Sequence, residues 1–254
     1  MKSVLIIGSG LAGLSLGEKF SKKGYLVSIT TTSESKLSTL RNLGYNPIIF
    51  NSNEIEHYKS LSLLKVEILV FALSPSKCKV IAYNNVLMNV CDKLNSFKQL
   101  VFTSSVSVYS NNGRNHSEES EEIEFDSIIY KTESYIKEHI REHYVFRLGG
   151  LIDEQRHPKN FHKDFTVKNS NMPVNLVHIK DVSNIVYSAI TMKIEFGVYN
   201  VCSHEHPSKK DFYGTFNENL KFVDGDLGKI VDGSLISNQV KYNYTSIYDF
   251  LEGL

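Results

Sequence analysis

The chain opens on an unbroken apolar, β-branched run, Ser3-Val4-Leu5-Ile6-Ile7, then places apolar residues at helical spacing from Leu14 to Phe20. The first pattern predicts a strand buried on both faces, the second an amphipathic helix. The alternation then repeats. Strands are expected at Leu26–Thr30, Pro47–Phe50, Glu67–Leu73, Leu100–Phe102 and Tyr144–Leu148, with helices at Ser35–Leu43, Val80–Asn95 and Ser127–His143. Gly44 is placed to close the first of these three helices as a C-cap. Further strands are expected at Leu176–Ile179 and Gly197–Val201, flanking a helix Val182–Met192 with Asp181 as its N-cap. From Pro207 the pattern reads as a helix, a Gly-rich link from Gly225 to Gly233, and a terminal helix near Ser246 to Leu251. Residues Ile152 to Asn175 fit neither period; they are rich in His, Lys and Asn and carry Pro158 and Pro173.

Gly8-Ser9-Gly10-Leu11-Ala12-Gly13 sits where the first strand turns into the first helix. That context raises a G-x-G-x-x-G above chance. Gly8 permits the tight turn, Gly10 admits a pyrophosphate to the backbone, and Gly13 lets the helix approach the strand. The N–H groups at the helix start favour an anion. A Gly-rich turn with no ligand is the plain alternative. Past the second strand a dinucleotide fold places a ribose-reading residue, usually an acid. Here the stretch is Thr31, Thr32, Ser33, Glu34, Ser35 and Lys36, with Arg41 near, and no acid stands at the strand end. Hydroxyls and a cation suit a 2′-phosphate, so NADP is expected over NAD. An ordinary helix cap, with Ser33 as N-cap and Lys36 incidental, competes with that reading. Ala72, Leu73 and Ser74 end the fourth strand, and Thr103, Ser104 and Ser105 end the fifth, at the edge that faces the ligand crevice in open α/β sheets. The expected fold class is therefore α/β: a Rossmann doubly wound parallel sheet with a small C-terminal substrate lobe. Residues 1–150 form the dinucleotide-binding domain, and residues 151–254 form the lobe, interleaved with the last strands and helices of the sheet.

The 254 residues balance 28 Lys and Arg against 28 Asp and Glu, so no strong field draws the chain to nucleic acid or to a membrane. Cys78, Cys91 and Cys202 show no metal spacing and are odd in number, which suits a reduced cytoplasmic protein with no metal. No stretch has the length of a membrane span, and the N-terminal apolar run is too short for a signal peptide.

Five segments in order carry a family resemblance: Gly8-x-Gly10-x-x-Gly13; Val101-Phe102-Thr103-Ser104-Ser105 with Val108-Tyr109; Arg147-Leu148-Gly149-Gly150-Leu151; Val177-His178-Ile179-x-Asp181-Val182; and Gly197-Val198-Tyr199-Asn200-Val201. Together they resemble the NAD-dependent epimerase/dehydratase group, the extended and atypical branch of the short-chain dehydrogenase/reductases. The resemblance covers nearly the whole chain. It implies a Ser or Thr after the fifth strand that bonds the substrate oxygen, matched by Ser105. It also implies a Tyr-x-x-x-Lys pair on the next helix. Tyr130 stands at a similar spacing from Ser105, but the Lys position is then Ser134. A second register, anchored on Glu133, puts Phe125 at the Tyr position and Ile129 at the Lys position. In both registers the Lys is missing. Lys131 lies on a different helix face from Tyr130, and Lys137 stands about 10 Å along the helix. Neither is placed to bring a tyrosine of pKa about 10 toward neutrality, as general acid/base work requires. The resemblance further implies a homodimer packing the helices at Val80–Asn95 and Ser127–His143.

Other chemistry-bearing residues have plainer readings. His139-x-x-Glu142-His143 matches a zinc-peptidase pattern, with both His on one helix face, but fits better as a solvated helix end. The acidic run Glu118–Glu124 reads as a solvated loop or helix face. His178 reads as a packed structural residue facing Asp181, His204-Glu205-His206 as a loop, and Tyr109 as packing. His157 and His162, with Arg156 and Lys159, give the lobe a basic character that suits an anionic substrate; an exposed polar loop fits equally well. Two functions follow. The first is an NAD(P)-dependent oxidoreductase or epimerase/dehydratase-like enzyme acting on a small polar substrate, sugar nucleotides included, with Ser105 and Tyr130 as catalytic residues. The second, favoured by the missing Lys, is a catalytically inactive dinucleotide-binding redox sensor or regulatory protein.

Overall fold

The computed structural model describes residues 2–79, 81–94, 96–162, 165–244 and 246–249. Seven strands form the main sheet: β1 (Ser3–Ile7), β2 (Leu26–Thr31), β3 (Asn46–Ile49), β4 (Ile68–Phe71), β5 (Gln99–Ser105), β6 (His143–Leu148) and β7 (Gly197–Val201). Their order is β7-β6-β5-β4-β1-β2-β3, a doubly wound arrangement with the chain reversing direction across the sheet at β1. Pairing is parallel in register, with Leu5 opposite Leu69 and Leu69 opposite Leu100. Strand side chains alternate faces. The row Leu5–Leu69–Leu100 therefore shares one face, and it packs with Val86, Leu87, Val90 and Ile136 in one buried cluster. Ile6, Ile29, Val70 and Val101 are also wholly buried. Burial of alternate rows is what makes the parallel strands read as continuous apolar runs.

The helices are α1 (Leu11–Lys22), α2 (Leu37–Asn42), α3 (Tyr83–Lys93), α4 (Ile128–His139), α5 (Ile179–Met192) and α6 (Lys209–Gly214). Several limits differ from the sequence expectation. The segment Ser35–Leu43 is a 3-10 turn, Glu34–Lys36, followed by α2, and Gly44 ends it at φ 82° with its N–H on Arg41 O, 2.8 Å. The helix expected over Val80–Asn95 is shorter; Val80 and Asn95 themselves lie outside the described residues. Of the expected terminal helix, Ser246 to Asp249 form a turn, and Phe250 and Leu251 lie outside the described residues. Asp181 is not an N-cap. Helix α5 begins at Ile179, and the Asp181 carboxylate accepts Asn243 Nδ2 at 2.7 Å.

The chain divides into two compact units. The first comprises residues 1–104, 125–146 and 186–198; the second comprises 105–124, 147–185 and 199–254. The second unit has its own core of Ile152, Val167, Val174, Leu176, Phe212, Tyr213 and Ile247. The stretch expected to be irregular contributes to it, because Thr166–Lys168 pairs in parallel with Lys221–Val223. Among the described residues no helix is long and apolar enough to cross a membrane.

Candidate functional site

In the first unit the three glycines stand in different surroundings. Gly8 has φ 109°, a conformation costly for a side chain, and a Cβ there would meet Ala72 O at 2.8 Å. Its N–H donates to Thr30 Oγ1, 2.8 Å, so a buried threonine of β2 pins the turn. A Cβ on Gly13 would lie 1.9 Å from Gly8 O, so α1 can pack on the turn only with glycine there. Gly10 differs: apart from its chain neighbours and its own helix backbone, no protein atom lies within 4 Å of a Cβ built on it. It is the N-cap residue of α1, with no side-chain capping bond and no acid in the first turn. Leu14 N bonds Gly10 O, while the earlier N–H groups of the helix have no intrahelical carbonyl to take. The backbone of Ser9, Gly10, Leu11 and Ala12 therefore presents a positive helix end beside open space, which favours an anion.

At the end of β2, Thr31 is buried and its Oγ1 accepts Ser33 N at 3.2 Å. Its hydroxyl thus helps to shape the turn. Ser33 occupies an N-cap position, but its Oγ shares a 2.7 Å hydrogen bond with Ser35 Oγ and caps no backbone N–H. Thr32 and Lys36 are exposed. At the end of β4, Ala72 N donates to Ile7 O, Leu73 O accepts the Tyr83 hydroxyl at 2.7 Å, and Ser74 pairs with Ser76 through their hydroxyls at 2.9 Å. Ser104, expected at the cofactor, is buried and donates its hydroxyl to the wholly buried Glu133 of α4. That bond also gives Glu133 a structural place on the inner face of the helix, beside Thr132 and Ile136. Tyr130 lies on the half-buried side of α4, its ring edge-on to the exposed Phe125 at 5.6 Å. Ser134, at the position where a lysine was sought, turns back to bond Tyr130 O at 3.1 Å. Lys131 pairs with Asp126.

In the second unit Ser105 Oγ accepts Ser107 N at 3.1 Å and starts a 3-10 turn, Val106–Val108. Ser105 also lines an open cleft of about 310 Å³, with Gly149, Asn175, Lys209, Tyr213 and Lys229. Below this turn lies a polar cluster that the sequence reading missed. Tyr109 is 1% exposed; its hydroxyl accepts Arg147 Nη1 at 2.7 Å and lies 2.8 Å from Asn200 Oδ1 and 2.9 Å from Ser117 O. Burial pushes the Tyr109 hydroxyl above its ordinary range, against the pull of Arg147, so it is protonated at neutral pH. Its one proton is shared between Asn200 and Ser117. The signal was present: Arg147 and Asn200 each stand inside an apolar strand, and buried polar side chains of that kind need partners. The acidic run is likewise not wholly solvated. Glu118 Oε1 accepts Asn200 N at 2.7 Å, and burial raises its carboxyl above the usual carboxylate range.

The histidines take structural places. His157 Nδ1 accepts Lys159 N at 3.0 Å, and its buried ring meets Phe216, so it caps a turn. His162 packs against Tyr213 and His178 against Tyr244, with ring centroids 4.4 Å apart in each pair. His139 and His143 do not share a helix face, because α4 ends at His139 and His143 opens β6. Among the described residues no group of His, Cys, Asp or Glu is placed to hold a metal ion.

No protein-family model matches the chain. Protein YeeZ of Escherichia coli K12 is 25% identical over 275 aligned residues, spanning 96% of each chain. Among solved structures, a protein of Methylobacillus flagellatus, provisionally assigned as an NAD-dependent epimerase/dehydratase, superposes with a TM-score of 0.83 at 17% identity, over 100% of this chain and 97% of that one. The chain has the epimerase/dehydratase fold. UDP-glucose 4-epimerase of Thermotoga maritima, solved with UDP-glucose, superposes with a TM-score of 0.76 at 16% identity over 99% of both chains. The human epimerase family protein SDR39U1, solved with NADPH, gives 0.73 at 13% identity over 96% of both.

Proposed function

We propose that the protein binds a nicotinamide dinucleotide, NADPH in preference to NADH, and acts as an oxidoreductase or epimerase/dehydratase-like enzyme on a small polar substrate. The observation that carries this reading is the Gly8–Gly13 turn. Two of its glycines are demanded by the protein's own atoms, whereas Gly10 faces open space at the start of α1. Nothing internal requires glycine at position 10, and an approaching diphosphate does. Thr32 and Lys36 are exposed in the turn after β2 and so available to a 2′-phosphate, which supports NADPH. Structures of the same fold solved with NADPH and with UDP-glucose support the cofactor class and make sugar nucleotides the first substrates to try. The dinucleotide would supply hydride transfer at its nicotinamide. The chain's own part would be to hold the diphosphate on the α1 N–H groups, to bond a substrate oxygen through Ser105, and to move a proton at Tyr130.

One observation favours the second reading, a dinucleotide-binding sensor without turnover. In the register anchored on Tyr130, Ser134 stands at the position of the pairing lysine and bonds its own helix, so no cation is supplied to Tyr130 from there. Calorimetry with NADPH, followed by turnover assays on sugar nucleotides and ketones, separates the two. The enzyme reading expects NADPH consumption that Tyr130→Phe abolishes. Tight binding with no turnover across the panel selects the sensor, and no binding of either dinucleotide overturns both.

A further inference from the structure

We propose that the cleft beside Ser105 is a receptor for the oxyanion of a small ligand, a phosphate or a carboxylate, held by Lys209 and Lys229. Among the described residues, the ionisable groups lining the cleft are Lys209, Lys229 and Tyr213, and no Asp, Glu or His lines it. Lys229 Nζ donates to the backbone carbonyl of Tyr109. Lys209 Nζ reaches Lys168 O at 3.4 Å and Met172 Sδ at 3.8 Å. Among the described residues neither ammonium is in an ion pair. Burial lowers the pKa of both, and the acids that oppose the shift, Asp226 for Lys209 and Glu124 for Lys229, act only through their field. Two ammonium groups drawn partly out of water without a counterion are unfavourable unless an anion joins them.

The backbone holds both lysines in place. Asn175 Nδ2 donates to Lys229 O and its Oδ1 accepts Val231 N, each at 2.9 Å. Lys209 starts α6, which is capped by Ser208 accepting Asp211 N, and Lys209 N donates to Met172 O at 2.8 Å. Ser105 Oγ uses its acceptor on Ser107 N, which leaves its proton to donate to a ligand. The remaining wall includes Leu148, Val174 and Leu176, which suit a short carbon body. At about 310 Å³ the cleft is at the small end of ligand sites, which run from about 300 to 1,000 Å³. The volume favours a small phosphorylated or carboxylated metabolite over a whole sugar nucleotide, and the UDP probe below decides between the two. That this occupant is the substrate rests on the proposed function; that the cleft takes an oxyanion does not.

The test is calorimetry on the full chain at low ionic strength with inorganic phosphate, propanoate and UDP as separate probes, and with NADPH in parallel. The expected result is binding of phosphate or propanoate that falls about tenfold or more in Lys209→Met and in Lys229→Met, as loss of a charge-assisted contact implies. Lys209→Arg and Lys229→Arg should retain it, and unfolding curves should show every variant folded. Whichever probe binds identifies the oxyanion. Failure of both probes, or binding that survives both Met substitutions, overturns the receptor. UDP binding more tightly than phosphate with the same lysine dependence overturns the small-ligand assignment. Lysine-dependent binding without NADPH binding leaves the receptor standing and removes the dinucleotide reading alone.

Discussion

The Arg147 guanidinium lies over the Tyr109 ring, 4.9 Å from its centroid, and donates a 2.7 Å hydrogen bond to the hydroxyl of the same residue. Both are essentially excluded from water. The phenol thus serves the cation twice, through its π-face and its oxygen. Tyr109→Phe keeps the ring and deletes the oxygen that Arg147, Asn200 and Ser117 all use. A loss of about 1–3 kcal/mol is expected, the range for stranding buried polar groups. Urea unfolding of the variant measures it; a change within error would mean that water or a neighbour replaces the hydroxyl.

The fingerprint glycines should separate folding from binding. Gly13→Ala must move the Gly8 carbonyl, which a Cβ would meet at 1.9 Å, so it should lower thermal stability and weaken dinucleotide binding together. Gly10 has φ −80° and ψ −171°, which alanine adopts without strain, and open space around it. Gly10→Ala should therefore unfold like the wild type yet bind NADPH at least about tenfold more weakly, because its methyl occupies the ligand's approach. Paired thermal-shift and calorimetric measurements on the two variants decide this. Unchanged NADPH binding by Gly10→Ala would remove the main support for the cofactor proposal.

Apolar periodicity made the sheet legible. β1 and β7 fall at their expected limits, since each is a short run bounded by glycine or by an abrupt change of pattern. Residues that act by meeting distant ones were not legible. Ser104 looked like a crevice residue because it ends a central strand, but strand alternation turns it inward to Glu133. His157 looked available because its neighbours are charged, but its ring nitrogen closes a local turn. Lys209 and Lys229 lie in segments without any motif, and only the fold brings them to one cleft.

The proposed preference for NADPH rests on the turn after β2. Lys36 is exposed at the end of the 3-10 turn Glu34–Lys36, and Thr32 is exposed beside it. If Lys36 reads the 2′-phosphate, Lys36→Glu removes one charge-assisted contact and adds repulsion. NADPH affinity should fall by about 2 kcal/mol or more, while NADH affinity changes little. Competitive titration of both dinucleotides against both proteins checks it. Equal losses for the two would place Lys36 elsewhere on the ligand, and tighter binding of NADH by the wild type would reverse the assignment.

Glu118 offers a test of the second unit's electrostatics. Its carboxyl is raised above the ordinary 4.5 chiefly by burial, opposed by the hydrogen bond from Asn200 N and, more weakly, by Arg147. Between pH 4.5 and the folded-state value, the native protein holds a proton there that the unfolded chain has released. Stability from this group is thus complete below pH 4.5 and declines as pH rises through the folded value. In Glu118→Gln the amide oxygen can still accept Asn200 N–H, and nothing titrates. The variant should therefore gain on the wild type as pH climbs from about 4.5 to 7. Urea unfolding of both proteins across that range gives the difference directly. If the wild type gains with rising pH, Arg147 stabilises the anion by more than burial penalises it, and the Tyr109–Arg147 cluster extends to Glu118 as an ion pair.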